Sequence, residues 1–137
     1  MRERALAVLR WVLVAPAGVL GCWGGILVVL MLYQGVESLC PPDQVISGAC
    51  MAAWAPAAHD VVVALGAAIG AALTVALPAL TAPRRRFAVA ALAYGGGVAY
   101  AAPLLREAGG DGGVIFIAAA SAGLAALVGV YVKGLAP

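Results

Sequence analysis

V-V-V-A-L-G-A-A-I-G-A-A-L-T-V-A-L-P-A-L, residues 61–80, runs for twenty positions without an Asp, Glu, Lys, Arg or His. At a rise of about 1.5 Å per residue, a helix of that length crosses a hydrocarbon core of roughly 30 Å. The rest of the chain offers no soluble shell in which to hide it. Of 137 residues, 65% are hydrophobic and only 10% are charged, whereas soluble domains average about 25% charged. A domain this short leaves roughly a third of its unfolded-chain surface in contact with solvent, so for much of the chain that solvent must be lipid. The net charge of +2 is too small and too divided for a nucleic-acid surface, and no nucleic acid is expected as a partner.

Three more stretches, 12–33, 87–105 and 114–132, are equally free of the ionisable types named above. They are rich in Ala and Leu and lack the polar–apolar alternation of a membrane strand. The expected fold is therefore an all-α integral membrane protein. It forms a single domain, 1–137, with transmembrane helices at 12–33, 61–80, 87–105 and 114–132 and an outer loop at 34–60. The first helix can begin before Arg10. The link R-E-A-G-G-D-G-G, 106–113, is so short that the last two spans must be antiparallel neighbours. With the first two spans joined by the longer loop, the arrangement is two antiparallel hairpins. Pro16, Pro78 and Pro103 lie near expected helix ends, and only Pro16 is placed to kink a span.

Charge orients this layout. Arg2, Arg4, Arg10, Arg84, Arg85, Arg86 and Lys133 fall on one side, with Arg106 the exception, while Glu37, Asp43, Asp60, Glu107 and Asp111 fall on the other. By the positive-inside rule both termini are cytoplasmic. Trp11, Tyr33, Trp54, Tyr100 and Tyr131 lie near expected helix ends, where amphipathic rings favour the headgroup layer. Trp23 lies mid-span, and its indole N–H is expected to turn toward another helix. V-L-G-C at 19–22 resembles a loose lipobox, but the apolar run continues to Tyr33, beyond a signal-peptide h-region. Cys22 is expected to be a small packing residue inside the bundle. The chain has no Asn and abounds in Ala, Gly and Arg, a composition that suggests a GC-rich bacterium and hence its inner membrane.

The outer loop breaks the apolar pattern with C-P-P-D-Q-V-I-S-G-A-C, 40–50. Outside the membrane a disulfide is permitted. Pro42 can open a helical turn through Ile46, and Ser47-Gly48 can end it, because glycine accepts the left-handed conformation. Cys40 and Cys50 are expected to pair as a structural disulfide, stabilising the fold by roughly 3 kcal/mol through loop closure. A redox-active pair would need a thiolate favoured by a cation or a helix N-terminus, and no Lys or Arg lies between Glu37 and Asp60. The four-helix quinone-linked disulfide-generating enzymes resemble this topology, but they relay electrons between two cysteine pairs, and 106–113 has no cysteine. The cysteine spacing also resembles that of claudins, but no G-L-W precedes Cys40 and the loop is too short for a claudin's extracellular sheet. His59 and Asp60 are expected at the start of the second span, where an acid in the first turn suits the helix dipole. One histidine with scattered acids makes no metal site, and neither metal nor cofactor is expected.

Small multidrug transporters resemble the chain in length and span count, but depend on a glutamate buried in the first span. Here the polar residues within the spans are Cys22, Trp23, Thr74, Tyr94, Tyr100 and Ser121, none suited to carrying protons. The spans carry small residues instead: Gly21 and Gly25, Gly66 and Gly70, Gly95 to Gly97, and Ser121, Ala125 and Gly129. In lipid such faces drive helix association through van der Waals fit, and Gly21, Gly25, Gly66, Gly70 and Ser121 are the expected packing residues. Arg84, Arg85 and Arg86 set topology or hold an anionic lipid headgroup. The expected function is a non-catalytic accessory, assembly or scaffolding subunit. Its partners are the lipid bilayer and other membrane subunits or further copies of itself. A small oligomeric transporter or channel is the alternative, and a membrane thiol–disulfide oxidoreductase a third reading.

Overall fold

The computed structural model describes the backbone of residues 2–108 and 110–135 and the side chains of 6–105 and 112–134. Most of the described residues are helical. Its four helices, α1 (Arg2–Ser38), α2 (Ala55–Thr81), α3 (Arg86–Ala108) and α4 (Gly110–Leu135), are each long and apolar enough to cross a membrane. Between α1 and α2 lie a single 3₁₀ turn, Pro42–Gln44, and two short antiparallel strands, β1 (Val45–Ile46) and β2 (Ala49–Cys50).

The helices outrun the expected spans because a charged side chain ends the hydrocarbon crossing, not the hydrogen-bond ladder. With 37 residues, α1 is about 55 Å long at the standard rise. It passes through Pro16 and Glu37 and stops at Ser38, whose hydroxyl donates to the Gly35 carbonyl at 2.7 Å. Helix α2 starts at Ala55, with Pro56 in its first turn, where a missing N–H costs nothing. His59 and Asp60 therefore sit in the second turn rather than at the helix start, and no acid occupies the first turn. At the other end, the Pro78 carbonyl accepts both the Ala82 N–H at 3.0 Å and the Thr81 hydroxyl at 2.9 Å. Pro83 then bars a further turn. Helices α3 and α4 extend into the expected 106–113 loop, leaving between them only position 109, which lies outside the described residues.

Helix α2 is the organising element. It packs along α1 and along α4, while α3 lies against both α2 and α4. Of its most apolar stretch, 28% is buried, against 17% for α1 and 6% for each of α3 and α4. Gly18 lies against Pro78, Gly21 against Leu73 and Thr74, Gly25 against Gly70, and Val29 against Gly66. Contacts that step up α1 thus step down α2, so the two helices run in opposite directions. On the far side of α2, Val75, Ala79 and Ala90 form a buried cluster with Tyr94, Ala126, Leu127 and Val130 around it.

Trp23 departs from expectation. It is 58% exposed and has no neighbouring helix over its ring. At about 100° per residue it lies some 200° around the helix from Gly21 and from Gly25, and that glycine stripe takes the contact with α2. Cys22, expected as a packing residue inside the bundle, is a free, accessible thiol bordering the space between the helices.

Candidate functional site

The connection between α1 and α2 folds into a small cap. Ser47 and Gly48 both have positive φ, 53° and 84°, the backbone of a two-residue hairpin turn. Ile46 pairs with Ala49 and Val45 with Cys50. The helical turn expected through Ile46 is thus cut to one 3₁₀ turn, after which β-branched Val45 and Ile46 take the extended form they favour. Cys40 and Cys50 are disulfide-bonded, with Cα atoms 5.7 Å apart. Beneath them, Cys50, Ala52 and Ala55 form a buried cluster. Val45, Ile46, Leu39, Met51 and Trp54 remain exposed.

Glu37 ties this cap to both helices. Its backbone carbonyl accepts the Cys40 N–H at 3.2 Å, and its Oε2 accepts the Cys50 N–H at 3.0 Å. Its Oε1 lies 3.1 Å from His59 Nε2, an ion pair whenever the imidazole carries its second proton. The two atoms are enclosed and make no aligned hydrogen bond. The Tyr33 ring stacks on His59, with centroids 4.3 Å apart and planes 15° from parallel.

Sequence reasoning placed Tyr33, Glu37 and His59 separately and missed that they meet. A signal was present, because Tyr33 and Glu37 are four apart on one helical face. Carrying the Gly25–Gly70 and Val29–Gly66 pairings onward brings Glu37 level with Ala58 and His59.

Between the helix ends, the α1–α2 seam is set by glycine. A Cβ at Gly21 would stand 2.6 Å from the Thr74 backbone nitrogen, and one at Gly25 2.6 Å from the Gly70 Cα. One at Gly66 would collide with the Val29 side chain. Ser121 is exposed on α4, its hydroxyl donating to the Ala118 carbonyl at 3.0 Å. The small residue at the α3–α4 contact is Gly123, where a Cβ would meet the Tyr94 ring at 3.1 Å. Gly95, Gly96, Gly97 and Gly129 have nothing within 4 Å of an added Cβ. All four helices contribute to an apolar cavity of about 380 Å³. Cys22, Thr74 and Tyr94 are the polar side chains on its wall.

Arg84 and Arg85, in the turn between α2 and α3, and Arg86, the first residue of α3, are exposed. Among the described residues no group of three His, Cys, Asp or Glu is placed to hold a metal ion. The described ion pair is the one at the cap. Comparison with protein-family models, with curated proteins and with solved structures finds no match to this chain.

Proposed function

We propose that the chain is a small multi-pass protein of a bacterial inner membrane that serves as a non-catalytic accessory, assembly or scaffolding subunit. In this reading the spans form two antiparallel hairpins with both termini in the cytoplasm. The disulfide-tied cap lies outside and has a structural role. The observation that carries the proposal is the open small face of α3. Gly95 and Gly96 have no neighbour to approach and lie outside the lining of the cavity that the four helices share, although in lipid the value of such small residues lies in close approach. Trp23 adds support, since a mid-span indole with no covering helix in its own chain has an N–H to satisfy. Both features suit a transmembrane helix of another subunit. The orientation draws support from the charges: Arg84 to Arg86 follow the end of α2 at which Pro78 meets Gly18, and Glu37 lies beyond the opposite end of that seam.

Purification in mild detergent tests the proposal. A membrane protein should co-purify in fixed ratio with the wild-type chain and be lost from a Gly96→Leu variant that still folds. Purification of the wild type alone, as a monomer, contradicts it. A reporter active only outside the cytoplasm should give signal when fused near Ser47 and none at the C-terminus; the reverse pattern removes the orientation. The cavity favours a second reading, an oligomeric transporter or channel for an apolar solute. Solute flux in liposomes containing only this protein would favour that reading over the first.

A further inference from the structure

The turn between α2 and α3 is short and strained. Ala82 is extended, Pro83 follows, and Arg85 adopts a φ of 56°. That left-handed conformation disfavours any side chain with a Cβ. The Arg85 carbonyl accepts the Val89 N–H at 3.1 Å, so the strained residue also starts α3. A chain with 18 glycines nevertheless places arginine there. Strain held at a charged, exposed position is a reason to look for a ligand.

The turn forms one wall of a depression of about 660 Å³, and the last turns of α4 form the other. Arg84, Arg85, Arg86 and Lys133 line it together, on two elements far apart in sequence. Phe87 packs edge-on against Tyr131, with centroids 5.3 Å apart, joining the start of α3 to the end of α4. Ala79, Leu80, Ala126 and Val130 make an apolar floor. Among the described residues no carboxylate lines the depression. Cations at the rim and hydrocarbon at the floor, at the level where the spans end, match the two parts of an amphiphile.

We propose that this depression binds an anionic phospholipid, its phosphate held by Arg84, Arg85, Arg86 and Lys133 and its first acyl carbons lying on the floor. Basic depressions between helix ends on the positively charged side are suited to such headgroups, and arginine offers paired donors that fit phosphate oxygens. A free phosphate shares the headgroup chemistry but makes no use of the apolar floor. A purely topological role for the arginines leaves both the floor and Lys133 without a purpose.

The test is native mass spectrometry of the full chain released from vesicles of equal phosphatidylglycerol and phosphatidylcholine. The wild type should retain phosphatidylglycerol preferentially, and Lys133→Gln should weaken that preference about fivefold, the effect of one basic residue near an anionic surface. Lys133 lies in the last turn of α4, so this variant keeps all three arginines, and Arg85→Gly removes one guanidinium while relieving the strained backbone. Equal retention of the two lipids, or an unchanged preference in both variants, overturns the site. Displacement of the bound lipid by inorganic phosphate at matching concentration overturns the lipid assignment in favour of a soluble anion.

Discussion

Along α1 and α2, Gly21, Gly25, Gly66 and Gly70 sit where an added Cβ would meet opposing backbone or a side chain. Along α3 and α4, Gly95, Gly96, Gly97, Gly113 and Gly129 face open space. The two halves draw on the same residue types for different ends. In the first, small residues let two backbones approach within the chain, and the disulfide and Glu37 lock the connection above them. In the second, α3 is held by larger groups, Tyr94 against Gly123 and Phe87 against Tyr131, and its glycines remain available. A Gly/Ala-rich span is therefore no guide by itself to an internal joint. The opposing surface decides.

The largest effect should come from filling the joint. Gly25→Leu places a branched side chain where even a Cβ stands 2.6 Å from the Gly70 Cα. Overpacking of this kind costs about 1–3 kcal/mol or more, so the variant should lose most of its folded yield and melt well below the wild type. Wild-type melting of Gly25→Leu would erase the contrast between the halves. Next comes the cap. Cys40→Ser should lower thermal stability by at most about 3 kcal/mol while circular dichroism still reports the helices. Thiol labelling of the denatured, unreduced wild type should modify Cys22 and leave Cys40 and Cys50 protected. A mixture of oxidised and reduced Cys40 and Cys50 in cells would instead point to thiol chemistry.

The contrast also marks what was legible in the sequence. The run at 61–80 showed a helix long and apolar enough to span, because absence of charge is a composition signal that needs no partner. The helices outrun the expected spans, by six residues at Ala55 and ten at Arg2, since Asp60, Glu37 and Arg10 leave the hydrocarbon without leaving the helix. Ser47-Gly48 was legible as a reversal, but the β-branched pair before it was read as helix. The meeting of Tyr33, Glu37 and His59 was hidden because it depends on the α1–α2 register, which follows from which glycine faces which. Trp23 was expected to face another helix, and within this chain the glycine stripe takes the contact with α2 instead.

A smaller effect should follow from Glu37→Ala, which leaves the Cys50 N–H without its acceptor. Leaving such groups unsatisfied costs roughly 1–2 kcal/mol, read as a lower melting temperature with the disulfide intact. If melting is unchanged, Glu37 does not tie the cap to α2. The smallest effect on folding should be that of Gly96→Leu, whose added side chain enters open space. Its stability should lie within about 0.5 kcal/mol of the wild type, as for substitutions that touch nothing.

The most direct measurement sets Gly25→Leu beside Gly96→Leu in the same mild detergent, recording the melting temperature of each and the membrane protein that co-purifies with it. The expected result is a double dissociation. Gly25→Leu loses its own fold, whereas Gly96→Leu melts like the wild type and loses the co-purifying subunit. If Gly96→Leu instead unfolds the chain, or keeps the same partner in the same ratio as the wild type, α3 is not the face that a partner uses.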